Sequence, residues 1–161
     1  PHADERGYFA RTWCHTEAAA HGIRVEWVQC NVSFNKRAGT LRGLHYQAEP
    51  SPEAKLIRCT QGAAFDVLVD LRPQSPTYMQ HEAYRLDALS GRQLYVPKGV
   101  AHGFQTLEPD TRVHYLISEP YAAETASGVR HDDPAFGIAW PLGVTDISVK
   151  DRDWPDYVRQ T

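Results

Sequence analysis

The chain reads as an all-β protein, an antiparallel sandwich or barrel with few short helices. Three observations carry that expectation. Apolar residues recur with period two in short runs. Gly, Pro, Asn or Asp close most of those runs, as in "RPQSP", "LSGR" and "EPD". Almost nothing in the chain carries helical periodicity, and many short strands with regular turns build sandwiches or barrels.

Taken in order, the first regular segment is a short helix, "TEAAAHG" over 16–22, with Thr16 as its N-cap and Gly22 as its stop. The next, "VEWVQCNVSF" over 25–34, alternates. Val28, Cys30, Val32 and Phe34 share one face, and Gln29, Asn31 and Ser33 share the other. Further strands are expected over 40–47, 55–61, 63–71, 84–88, 92–97, 101–107 and 112–118. From about residue 120 the Pro- and Asp-rich tail reads as ordered loops laid over the barrel. No linker, charge block or internal repeat divides the chain, so residues 1–161 form one expected domain.

Composition narrows the functional classes. With 161 residues the chain can bury roughly 68–70% of its unfolded surface and needs no staples. A formal charge of −3 gives no global attraction to nucleic acid or anionic membranes. Cys14, Cys30 and Cys59 are an odd set without CxxC spacing, which argues against a disulfide framework and suits a reducing cytoplasm. The start, "PHADERGYFARTW", has charges where a signal peptide has its apolar stretch, and the missing initiator Met points to residues upstream of Pro1. No run approaches the 18 or so apolar residues of a membrane span. A cytoplasmic protein is expected.

The stretch "LRGLHYQ" over 41–47 places an Arg and a His where a core strand would carry Val or Ile. In a regular strand Arg42 and His45 face opposite sides, so for both to serve one pocket the strand must bulge or bend at Gly43. Of the eight histidines, only His45 and His102 lie in strand-like runs beside Gly and aromatic residues. A lone strand histidine is more often structural than functional, so position alone does not decide. No GxSxG elbow, GxGxxG loop or P-loop is present.

In "PKGVAHGF" over 97–104, Pro97, Gly99 and His102 form PxGxxH, which resembles the second motif of the cupin superfamily. Metal cupins add HxH and a Glu in a first motif. Here that region offers only His45, and a useful metal site needs three or four ligands. No metal or other cofactor is expected.

A more specific resemblance runs across residues 4–151. "DERGYFAR", "QCNVS", "GTLRGLHYQ", "KLIRCTQG", "FDVLVDLRPQSPTY", "LYVPKGVAHGFQTL", "VHYLISEPY", "DDPAFGIAWP" and "SVKD" stand in the order and spacing of one family. The chain resembles the dTDP-4-dehydrorhamnose 3,5-epimerases, metal-free cupins of nucleotide-sugar biosynthesis. That resemblance implies a double-stranded β-helix, the cupin-type jelly-roll β-sandwich. It implies an isomerase acting on a dTDP-linked 4-keto-6-deoxy hexose at C3, C5 or both, where the C4 ketone acidifies the neighbouring protons.

By the same resemblance His45 is the base, Asp151 the carboxylate that fixes its tautomer, Tyr115 the acid on the other face, and Lys55 the charge near the enolate. Arg42 and His102 complete the wall around the sugar. Gln29, Asn31 and Lys150 match ligand-contacting positions. Arg6 and Phe9 match substrate-binding residues near an N-terminal strand that crosses to the partner, Arg6 binding the nucleotide diphosphate there, so a homodimer is implied. Three positions depart from the family pattern. Arg11 and Ala126 stand where acidic residues are usual, and His131 where Trp is usual, which leaves the sugar and nucleotide open. Two other readings stay alongside: a metal-dependent cupin oxygenase or isomerase, and a non-catalytic sugar-binding jelly roll.

Overall fold

A computed structural model describes residues 1–160. It begins with β1 (His2–Asp4) and β2 (Gly7–Phe9), an antiparallel hairpin forming a separate two-stranded sheet. The sequence runs did not reveal these two strands, because every residue in them is exposed and no apolar alternation marks them. The helix α1 (His15–Ala20) starts a turn boundary earlier than expected. Cys14, not Thr16, holds the N-cap position, with no side-chain capping bond, while Gly22 follows the helix end at φ +81°.

Eight strands follow, each matching a predicted run with its ends moved by a few residues. They are β3 (Gln29–Asn35), β4 (Leu41–Gln47), β5 (Lys55–Gln61), β6 (Ala63–Asp70), β7 (His81–Asp87), β8 (Leu94–Val96), β9 (Val100–Thr106) and β10 (Thr111–Ile117). The expected loop tail contains a short strand, β11 (Ala126–Gly128), and one helical turn, α2 (Val149–Arg152). Two antiparallel sheets result, ordered β3-β10-β5-β8 and β11-β4-β9-β6-β7.

The sheets pack face to face. Ile57, Cys59, Val96 and Val113 of the four-stranded sheet meet Ala64, Leu86, Val100 and Phe104 of the five-stranded one. The other face of the five-stranded sheet is covered too. Leu44, Val67, Val69 and Ala101 pack under Phe136, Ile138, Trp140 and Tyr157 of the tail. Burial on both faces explains why "AAFDVLVDL" is nearly continuously apolar rather than alternating. The three cysteines are free, and among the described residues no helix is long and apolar enough to cross a membrane.

β3 inverts the usual amphipathic arrangement. Its apolar residues Cys30, Val32 and Phe34 are exposed, whereas Gln29, Asn31 and Ser33, with an edge of Val32, line a cavity. One end of the sandwich is therefore a polar hollow.

The turn after β6 is locked by Asp70. Its buried carboxylate accepts from Arg72 Nε at 2.8 Å and Nη2 at 2.7 Å, from Ser75 Oγ at 2.6 Å and from Thr77 Oγ1 at 2.7 Å. Burial alone would raise this carboxyl, but those donors outweigh it and hold the group well below the usual carboxylate range. A depressed folded value stabilises the fold above the unfolded value of about 3.9 and fades as pH falls below it. Asp70→Asn is expected to lower unfolding free energy by about 2 kcal/mol at neutral pH. Urea titrations should show that deficit shrinking as pH drops below about 4.

Candidate active site

The polar end of the sandwich is a cavity of about 910 Å³, large enough for a ligand the size of a nucleotide sugar. Its two walls come from the two sheets. β4 and β9 supply Arg42, His45 and His102, and β5 and β10 supply Lys55 and Tyr115.

The distortion anticipated in β4 is present. Pairing between β4 and β9 shifts register between Arg42 and His45, and both side chains line the cavity. Gly43 makes this possible. It sits at φ +111°, and a Cβ there would come within 2.5 Å of Gly103 Cα and 2.7 Å of His102 O. A side chain at either glycine would push the strands apart.

Two His–carboxylate pairs stand next to each other, because His45 and His102 are Cα partners across β4 and β9. His45 Nε2 donates to Asp151 Oδ1 at 2.5 Å, which leaves Nδ1 as the nitrogen free to act on a ligand. Asp151 is buried. Burial works to raise its carboxyl, but the His45 contact, the Gly43 N–H at 3.3 Å and the Ser148 cap together bring it below the ordinary value. The second pair, His102 Nε2 to Asp66 Oδ1 at 2.7 Å, is almost wholly buried. The His102 ring meets Tyr115 edge-on at 6.1 Å between centroids. Burial first, then the Asp66 carboxylate, pushes the Tyr115 phenol above its ordinary value, and Arg42 works in the opposite sense.

Asp151 lies 106 residues from His45, and the tail delivers it. Fully buried Gln105 clamps Leu142 through both its backbone groups, donating to the carbonyl at 2.9 Å and accepting from the N–H at 3.0 Å. Next, Thr145 N–H donates to Gly39 O and Leu41 N–H to Asp146 O, so the segment runs beside the start of β4. Ser148 caps α2 by accepting from the Asp151 N–H, and this fixes the carboxylate beneath Gly43.

Comparison with known proteins bears directly on this site. The family model described as dTDP-4-dehydrorhamnose 3,5-epimerase matches residues 1–158. A dTDP-4-dehydrorhamnose 3,5-epimerase of Sinorhizobium fredii is 46% identical over 153 residues, covering 94% of this chain and 78% of that protein. The chain belongs to the dTDP-4-dehydrorhamnose 3,5-epimerase family. A crystal structure of the Bacillus anthracis epimerase with TDP and PPi bound superposes with TM-score 0.93 at 45% identity, covering 96% of this chain and 88% of that one. The epimerase of Legionella pneumophila, in complex with dTDP-4-keto-L-rhamnose, gives 0.86 at 37% identity, covering 92% and 79%. The cupin-type jelly-roll sandwich expected from the sequence is therefore the family's fold.

Of the residues singled out in the sequence, His45, Tyr115, Asp151, Lys55, Gln29, Asn31, Arg42, His102 and Lys150 line this one cavity. Arg6 and Phe9 do not. They sit on the exposed β1–β2 hairpin, where Arg6 pairs with Asp4 at 2.5 Å and Phe9 borders a small surface hollow. Of the departures from the epimerase pattern, Ala126 lines the cavity, whereas Arg11 pairs with Glu17 on the surface. His131 lies beside Trp140, whose Nε1 donates to its carbonyl.

The sequence reading missed Asp66, Glu53, Glu119 and Tyr121. Two of them carried a signal. Asp66 is a charge inside an apolar run and shares a face with Ala64 and Leu68, so it needed a buried partner. Glu53 shares parity with Lys55. Among the described residues no group of three or more His, Cys, Asp or Glu is arranged to hold a metal ion.

Gly43→Ala tests the glycine contact. The added methyl meets backbone, at a φ that L-residues avoid, so a loss of at least about 2 kcal/mol in stability is expected by denaturant titration. Ligand affinity should fall with it, because Arg42 and His45 lose their common side.

Proposed function

We propose that the protein inverts C3, C5 or both on a dTDP-linked 4-keto-6-deoxy hexose, by removing and returning protons next to the C4 ketone. The observation that carries this reading is the placement of an oriented imidazole on one wall and a protonated phenol on the facing wall of one cavity. A sugar ring between those walls presents one face to each. Family membership, and a relative solved with dTDP-4-keto-L-rhamnose, support the substrate class.

In this mechanism His45 Nδ1 takes the proton from C3 or C5. The electron pair of the broken C–H bond moves into the ring, and charge collects on the C4 oxygen as an enolate. Lys55 stabilises that oxygen, since a fixed charge in a partly dry pocket counts for more than in water. Tyr115 then returns a proton to the opposite face, and its raised value keeps the phenol protonated at neutral pH. Asp151 keeps the proton on His45 Nε2, so Nδ1 stays basic. Arg42 and His102 hold the sugar, while Gln29, Asn31 and Lys150 contact the nucleotide side.

Arg6 and Phe9 do not line the cavity of their own chain, and we assign them to the partner's site in a homodimer. Exchange of the N-terminal hairpin would cover exposed Tyr8 and Phe9. The cytoplasm is the proposed location, in keeping with three free cysteines.

Incubation with dTDP-4-keto-6-deoxyglucose in deuterated water, read by NMR at C3 and C5, tests the chemistry. The unmodified protein should incorporate deuterium with inversion, and the centres that invert define the product. His45→Ala should abolish exchange, and Asp151→Asn should slow it by about 100-fold or more. Tyr115→Phe should still exchange with retention while forming little inverted product. Full turnover by His45→Ala would remove it as the base.

Light scattering at micromolar concentration should report a dimer. A monomer with full activity contradicts the exchanged hairpin.

A further inference from the structure

The Lys55 ammonium is held between two oxygens. Its Nζ lies 2.9 Å from Glu53 Oε1 and donates to the His45 carbonyl at 3.1 Å. The Lys55 and Glu53 side chains are only 9% and 11% exposed, and both line the cavity. This is an ion pair inside the reaction chamber, unlike the surface pairs elsewhere, such as Arg6–Asp4 or Arg11–Glu17.

That placement has chemical consequences. An ammonium taken out of water needs an opposite charge or acceptors beside it to offset its lost hydration. A lysine stem is also flexible, so a charge meant for one ligand atom has to be tethered. Glu53 answers both needs. The ammonium has three N–H groups, and with two oxygens at its back at least one remains for a ligand oxygen. The second of those oxygens belongs to His45, so the same contact fixes the charge relative to the base and bridges the two sheets.

We propose that Glu53 is a positioning residue for the epimerisation, holding the Lys55 ammonium in place for the developing enolate oxygen. This rests on reading the cavity as the seat of enolate chemistry. The competing account makes the pair a structural staple that joins the segment before β5 to β4.

Glu53→Gln separates the two, because the amide keeps an acceptor of the same size and loses only the charge. On dTDP-4-keto-6-deoxyglucose, Glu53→Gln should lower kcat about tenfold and Glu53→Ala about 100-fold, with KM within about threefold, because the loss falls on charge developing in the transition state. Thermal melting checks that each variant is folded, and Glu53→Gln carries the test if Glu53→Ala is not. A kcat within twofold of the parent in folded Glu53→Gln overturns the proposal, as does a rise in KM alone.

A second readout needs no turnover. The ¹H–¹⁵N spectrum of the lysine ammonium groups should show a protected Lys55 signal, assigned by its loss in Lys55→Met, and Glu53→Gln should abolish it. A signal unchanged in that variant overturns the proposal even if the unmodified protein proves inactive on this sugar. Inactivity of the unmodified protein would instead count against the proposed reaction.

Discussion

The close approach of Gly43 to Gly103 is the contact on which the site depends. Two strands without side chains at that point can touch backbone to backbone, and β4 can slip its register against β9. The slip brings Arg42 and His45, of opposite parity, to one side. It also turns the Gly43 N–H toward Asp151, so the backbone that displaces His45 helps hold the carboxylate that orients it. A regular strand of the same composition would put the imidazole or the guanidinium outside the cavity.

The rest of the architecture serves that local geometry from two directions. The five-stranded sheet is packed on both faces, which makes it a stiff platform. The tail then threads back along β4 and supplies the carboxylate from outside the sheets. On the opposite wall, Lys55 reaches across to a carbonyl of β4, so a buried polar contact joins the walls in addition to the apolar core. Pairing each histidine with its own carboxylate gives the two rings fixed and separate hydrogen-bond roles although their strands are adjacent.

How much of this was legible in the sequence varied with the physics involved. Period-two alternation exposed the strands because one or both of their faces are buried, and it failed for β1 and β2, which bury neither. β3 was recognised by alternation, but alternation says only that two faces differ. That its polar face turns inward follows from the hollow end of the sandwich, a tertiary fact. The bend at Gly43 was readable because Arg42 and His45 could share a pocket in no other way. The pairing of His102 with Asp66 was not, since spacing along the chain carries no information about contacts across β6 and β9. His45, Tyr115, Asp151 and Lys55 emerged as a set only through family resemblance, and Glu53 went unremarked because a surface Glu–Lys pair looks the same in one dimension.

The strap that carries Asp151 is fastened by hydrogen bonds at Gln105, Ala38, Gly39, Leu41 and Gly43 and by the Arg37–Asp146 ion pair, while the sheets are held by two apolar clusters. Its opening free energy is therefore a property of the strap and can be far smaller than that of global unfolding. When the strap lifts, the sandwich stays folded, but His45 loses the acceptor that fixes its tautomer. The fraction of molecules in which His45 Nε2 keeps its acceptor is then governed by local fastening, so changes at the fastening points of residues 142–148 can shift that fraction while leaving the apolar clusters of the sheets as they were.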